Sequence, residues 1–138
     1  TDDEAFYVDE ALHSYFNVSD VREIYVHGLD GAKELDTVRD TQGVHEGPLT
    51  FTNGRVDSIF DTSNGSIIED PGFKRRIIIE KEHSASTIVW NPAESKAADM
   101  HHEDWKHFVC VEVGNVRLLL RPGQSHWMSL TIKVEELA

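Results

Sequence analysis

Two residues far apart in the sequence, His13 and Glu112, supply an imidazole and a carboxylate, side chains that often transfer protons near neutral pH. Glu112 alternates with Val111 and Val113 in a valine-rich stretch, so its carboxylate should share a strand face with Cys110. Residue type alone favours structural roles: a core histidine bonded to backbone, and a glutamate that caps a sheet edge or pairs with a buried arginine. A catalytic role for this pair therefore needs further support.

Four other residues invite a functional interpretation. Asp57 follows the Asn53-Gly54 turn and could bond its own backbone there or contact a ligand. Cys110 lies in the valine-rich stretch, where a buried thiol is expected to stay un-ionised and not to act as a nucleophile. Trp90 and Trp127 lie in strand-like runs and favour core or rim positions over stacking on a ligand.

A run of metal-ligating residue types lies in the second half of the chain: His101, His102, Glu103, Asp104 and His107. These residues fall in or beside Ala93 to Trp105, the only helix-like segment, which is expected to be short and exposed. We therefore expect no metal site there.

The elements that must position these residues are mostly short strands separated by turn dipeptides such as Asn53-Gly54, Asn64-Gly65 and Pro71-Gly72. The predicted strands are Ala5 to Val18, Glu23 to His27, Leu49 to Thr52, Val56 to Phe60, Ser66 to Glu69, Phe73 to Glu80, Ser84 to Trp90, Phe108 to Val113, Val116 to Leu120 and Trp127 to Val134. The glycines of Gly28-Leu29-Asp30-Gly31 should form a tight turn. About ten strands predict an all-β, mostly antiparallel β-sandwich, with residues 1–138 as a single domain.

The composition excludes several classes of partner. Thirteen Lys and Arg oppose 25 Asp and Glu, and the formal charge of -12 disfavours nucleic acid and anionic membranes. No apolar run approaches the roughly 18 residues of a membrane helix. The single cysteine forms no intrachain disulfide, which is typical of a cytoplasmic protein.

Seven short motifs identify a family. In order they are Ala11-Leu12-His13-Ser14-Tyr15-Phe16, Gly28-Leu29-Asp30-Gly31, Gly47-Pro48-Leu49-Thr50-Phe51, Val56-Asp57-Ser58-Ile59-Phe60, Val89-Trp90-Asn91-Pro92, Phe108-Val109-Cys110-Val111-Glu112 and Arg121-Pro122-Gly123. Their order and spacing resemble the glucose-6-phosphate 1-epimerases of the galactose-mutarotase-like superfamily, over nearly the whole chain.

The resemblance implies a function and a set of site residues. It implies an isomerase that interconverts the α and β anomers of a hexose 6-phosphate without a metal or organic cofactor. By the same resemblance, His13 and Glu112 are the catalytic histidine and glutamate, and Asp57 binds sugar hydroxyls. Ring opening needs a base at the C1 hydroxyl and an acid at the ring oxygen, so Glu112 is expected to be the base and His13 the acid.

The resemblance covers only the C-terminal half of the family fold. It places the phosphate-binding arginines in the other half, and none of this chain's candidates matches them; these candidates are Arg55, Arg75, Arg76, Arg117 and Arg121. An isolated half-sandwich exposes strand edges, so we expect the missing half or a second copy to cover them. A non-catalytic sugar-phosphate-binding protein and an inactive fragment remain the alternatives.

Overall fold

The computed structural model describes residues 4–94 and 103–138, which form eleven strands in two antiparallel sheets. The first sheet contains β1 (Phe6–Leu12), β2 (Tyr15–Asn17), β4 (Lys33–Asp36), β5 (Thr41–Val44), β6 (Val56–Asp61), β9 (Ser86–Asn91) and β10 (Phe108–Leu120). The second contains β3 (Tyr25–His27), β7 (Ser66–Asp70), β8 (Arg75–Glu82) and β11 (Ser129–Glu136). The prediction of an all-β sandwich is confirmed.

The strand order places β10 inside the first sheet, away from its edges. The first sheet runs β1-β10-β9-β6-β4-β5, with β2 also paired to β10, and the second runs β11-β8-β7-β3. The long strand β10 therefore pairs with β1 and β2 along one side and with β9 along the other.

The core lies between the two sheets. Phe60, Val89 and Val111 of the first sheet belong to the same buried cluster as Ile68 and Ile79 of the second. The alternation of side chains along each strand sends these residues inward and their neighbours outward. The first sheet thus has an inner face on the core and an outer face, and the outer face carries Glu112.

The predicted turn after β3 is present. Gly28 and Gly31 have φ values of 102° and 81°, which L-residues with a Cβ rarely adopt. At Gly28 a Cβ would also lie 2.3 Å from the backbone oxygen of Gly65, so this glycine is needed for close packing as well as for the turn.

Several predicted strand boundaries are wrong. The predicted strand Ala5 to Val18 is broken at His13 and Ser14 into β1 and β2, and Phe108–Leu120 is one strand where two were predicted. Leu49 to Thr52 contributes only an isolated bridge, Val26 to Leu49. The hairpin of β4 and β5 was not predicted, because its exposed and polar residues give little hydrophobic alternation.

The predicted helical segment Ala93 to Trp105 lies largely outside the described residues. Short 3-10 helices occur at Val21–Glu23 and Asp104–His107. No helix in residues 4–94 or 103–138 is long and apolar enough to cross a membrane.

Candidate active site

The break between β1 and β2 positions His13 beside the middle of β10. Both short strands pair with β10, Leu12 opposite Val113 and Tyr15 opposite Cys110, so the connecting residues pass next to Glu112. The Nε2 atom of His13 lies 3.8 Å from the Oε2 atom of Glu112. The structure thus brings together two residues that are 99 positions apart, and the His13 side chain, 49% exposed, remains accessible to a ligand.

Glu112 is a nearly buried carboxylate. Val111 and Val113 on either side point into the core, and Glu112 points to the outer face, where it is only 8% exposed. Burial raises the pKa of Glu112, the neighbouring His13 opposes that rise, and the like charge of Asp57 adds to it. The group is therefore a stronger base than an ordinary glutamate when it is ionised.

Asp57 lies on the same outer face. It is opposite Trp90 of β9, and Trp90 is opposite Cys110 of β10, so these residues form one row across three strands. The Asp57 carboxylate lies 3.9 Å from a terminal nitrogen of Arg55, and its backbone oxygen accepts bonds from the amide and hydroxyl of Thr37. The side chain is thus available to the outer face and is not used in a turn.

Arg55 is an arginine to which the sequence assigned no role in the site. Of the five arginine candidates it is the one that forms an ion pair with a predicted site residue. Arg75 and Arg76 lie on β8 of the other sheet, and Arg117 lies over the ring of Tyr7 on β1. The i, i+2 spacing of Arg55 and Asp57, which places both on one strand face, is the signal that could have found it.

Cys110 is fully buried although it lies on the outer face. Burial raises the pKa of its thiol to about 12, and the charge of Glu112 contributes to the rise. Trp90 and Tyr15 are its two cross-strand neighbours, and the ring centroid of Phe108 lies 5.7 Å from each of theirs, so we expect these rings to cover it. The thiol is therefore a packing group beneath the site.

The metal-ligating run does not form a cluster where it can be described. His101 and His102 lie outside the described residues, and the Nδ1 atom of His107 is 2.9 Å from the backbone oxygen of Ser19. Within residues 4–94 and 103–138, no three His, Cys, Asp or Glu side chains are arranged to hold a metal ion. The expectation for this run stays a prediction.

A second polar region lies on the inner side of the first sheet. A cavity of about 290 Å³ there is lined by residues that include Glu34, His45 and Ser58. Glu34 accepts a bond from Ser58 at 2.7 Å and lies 3.2 Å from Nδ1 of His45. Because Glu34 is opposite the inward-facing Phe60, this cavity is on the opposite side of the sheet from Glu112.

The sequence of this chain is similar to the sequences of known proteins. A protein of Escherichia coli K12 named "Putative glucose-6-phosphate 1-epimerase" is 34% identical over 113 residues, which cover 78% of this chain and 38% of that protein. A protein of the same name in Cenchrus ciliaris is 31% identical over 131 residues, which cover 90% of this chain and 40% of that protein. The chain thus spans about two fifths of the length of these relatives.

A solved structure shares the fold of this chain. The crystal structure of a protein of Salmonella typhimurium described as a "putative mutarotase" is 30% identical, with a TM-score of 0.86 over 96% of this chain and 47% of that chain. A family model described as Aldose 1-epimerase matches residues 1–133. The chain therefore belongs to the aldose 1-epimerase family.

Proposed function

We propose that the protein carrying this chain is an isomerase that interconverts the α and β anomers of a hexose 6-phosphate, with glucose 6-phosphate as the first candidate. The observation that carries the proposal is the approach of His13 to Glu112 on an accessible sheet face. The names of the curated relatives support the choice of substrate.

The spacing of the pair suits a hemiacetal. The hydroxyl oxygen O1 and the ring oxygen O5 are bonded to the same carbon, C1, so an acid and a base that stand close together can serve both. Glu112 removes the proton from O1, the C1–O1 bond becomes a carbonyl, and the C1–O5 bond breaks. His13, as an imidazolium, protonates O5.

Ring closure reverses these steps after rotation about C1–C2. The neutral His13 takes the proton from the C5 hydroxyl while the oxygen of that hydroxyl, O5, attacks the other face of C1. Protonated Glu112 returns a proton to O1. Both side chains then regain their starting charges, so no external proton donor is consumed. Because the pKa of Glu112 is raised, it lies closer to neutral pH than the pKa of an ordinary glutamate. Glu112 can then both accept and return a proton efficiently.

Asp57 is proposed to bind sugar hydroxyls. Its carboxylate lies in the row that contains Trp90 and Cys110, and Cys110 is two residues from Glu112 on the same face of β10. Arg55 pairs with this carboxylate at 3.9 Å and adds hydrogen-bond donors at the same place. Phosphate recognition is assigned to the remainder of a longer protein, since the relatives extend well beyond the matched region.

Two apolar strand edges support the proposal that a further part of such a protein packs against this chain. On β11, Ile132 and Val134 lie opposite the core residues Ile79 and Ile77, yet they are 48% and 60% exposed. On the edge strand β1, Phe6 and Tyr7 are exposed as well. Exposed apolar edges favour self-association, so sedimentation of the isolated 138-residue chain should show oligomers, and a longer protein should be free of them. An isolated chain that sediments as a monomer would contradict this assignment.

The function is tested by following exchange between the α and β anomers of glucose 6-phosphate by NMR. We expect catalysed exchange with the protein carrying this chain, and losses of about 10²- to 10⁴-fold in Glu112→Gln and in His13→Ala. The matched control is Glu69→Gln, because Glu69 forms another histidine–glutamate pair, 3.2 Å from His27, in the second sheet. Binding of the sugar phosphate without any exchange above the spontaneous rate would show a binding protein and overturn the proposal.

A further inference from the structure

The outer face of the first sheet carries a continuous row of aromatic rings, here named the aromatic arc: His13, Tyr15, Phe108 and Trp90. The ring centroids are 4.7 Å apart between His13 and Tyr15, 5.7 Å between Tyr15 and Phe108, and 5.7 Å between Phe108 and Trp90. The arc thus begins at the proposed acid and ends at the residue directly opposite Asp57.

The strand register explains why rings from four segments meet. Tyr15 of β2 and Trp90 of β9 are the two cross-strand partners of Cys110, and Phe108 lies two residues before Cys110 on the same face. A small side chain at position 110 leaves room for these rings to close over it. Cys110 is 0% exposed as a result, although it lies on the outer face.

The side of the aromatic arc that faces away from the sheet is exposed to solvent. Tyr15 is 62% exposed, and the rings of Trp90 and Phe108 are only partly buried. Covering one thiol does not require a large ring that stays mostly in contact with water, since an exposed aromatic surface carries a cost in solubility. An exposed arc beside polar groups is the arrangement of a ligand-binding surface with an apolar floor and a few oriented polar side chains.

We propose that the aromatic arc is the platform on which the apolar C–H face of the pyranose ring rests during anomerisation, with Tyr15 as a positioning residue. This inference rests on the proposed function. Aromatic faces carry negative charge density and attract the weakly positive C–H groups of a sugar. A ring seated on Phe108 and Trp90 has Glu112 on one side and Asp57 on another, which orients C1 toward the acid–base pair.

The platform predicts discrimination between cyclic and open sugars. A pyranose presents several C–H groups in one plane, and an open-chain hexitol phosphate does not. The non-reacting cyclic analogue 1,5-anhydroglucitol 6-phosphate therefore measures the platform without turnover, and glucitol 6-phosphate measures the remaining polar contacts.

The test is calorimetric binding of both analogues to the protein carrying this chain and to Tyr15→Leu, which keeps apolar bulk and removes the ring. We expect affinity for the cyclic analogue to fall about five- to tenfold, with affinity for the open analogue nearly unchanged. Tyr15→Phe should restore cyclic binding, because it restores the ring. The control is Tyr25→Leu, since Tyr25 is also exposed and lies beside a histidine, His27, but in the second sheet.

Several outcomes overturn the platform. Equal loss for both analogues would show a general structural role for Tyr15, and unchanged binding of both would show that another part of a longer protein occupies the arc. Thermal unfolding of Tyr15→Leu checks that the fold is intact. Ring-dependent binding without anomer exchange would support the platform and contradict the proposed function, so the two can fail separately.

Discussion

Asp57 and Glu112 lie near enough on the outer face of the first sheet for the charge of Asp57 to raise the pKa of Glu112. Burial is the larger cause of that raised pKa, and His13 acts in the opposite direction. Three residues from β6, β10 and the link between β1 and β2 thus form one electrostatic unit. Substituting His13 or Asp57 separates their contributions to the pKa of Glu112.

The first prediction concerns the pH dependence of exchange. A base must be ionised to work, so the acid limb of kcat/KM should lie above the pKa of an ordinary glutamate, about 4.3. Asp57→Asn removes the like charge and should move this limb to lower pH. The control is Asp61→Asn, an exposed residue four positions further along β6. An acid limb that stays in place in Asp57→Asn would contradict the coupling.

The second prediction concerns stability. Because the folded pKa of Glu112 is raised, the protonated form is favoured in the fold, and its stabilising effect is lost as the pH rises through that pKa. Glu112→Gln resembles the protonated form. The variant should therefore be more stable than the parent at neutral pH and equally stable below the unfolded pKa. Urea unfolding at both pH values measures the difference, and a destabilised variant at neutral pH would be inconsistent with this electrostatic picture.

The third prediction concerns Cys110. A buried thiol with a pKa of about 12 has almost no thiolate at pH 8, so labelling by a disulfide reagent should be slow in the native protein. Tyr15→Ala opens the aromatic arc and should speed labelling, and Tyr25→Ala should not. Fast labelling of the parent protein would show that the arc does not cover the thiol.

The fourth prediction concerns Asp70, a fully buried carboxylate at the end of β7. It accepts bonds from the amide and hydroxyl of Ser19 and from the amide of Phe73. Asp70→Ala leaves these donors without their acceptor and should cost about 3 kcal/mol, and Asp70→Asn should cost less. Urea unfolding gives the values, with the exposed Glu82→Ala as control. A loss near zero in Asp70→Ala would mean that water replaces the carboxylate.

Sequence patterns predicted the sandwich because apolar residues that face the core recur at every second position of a strand, as Val109, Val111 and Val113 do. This alternation identifies a strand from sequence alone. They failed for β4 and β5, where Glu34 and Asp36 point to the inner side of the sheet and line a polar cavity. Inward polar residues erase the alternation, so the hairpin could not be found from hydropathy.

The candidate site was predictable only in part. Family resemblance selected His13, Glu112 and Asp57, and the structure brings them together on one face. The aromatic arc was not predicted, because Trp90 was given no role and Tyr15 and Phe108 served only as parts of the family motifs. Their meeting depends on the register of β2 and β9 against β10, which no local pattern reveals.

The central claim is that His13 and Glu112 act as one acid–base couple, and a double-mutant cycle on anomer exchange tests it most directly. Residues that act as a unit lose their effect together, so the double variant His13→Ala/Glu112→Gln should exchange anomers about as slowly as either single variant. Losses that multiply in the double variant, or a single variant that retains near-parental exchange, would contradict the claim.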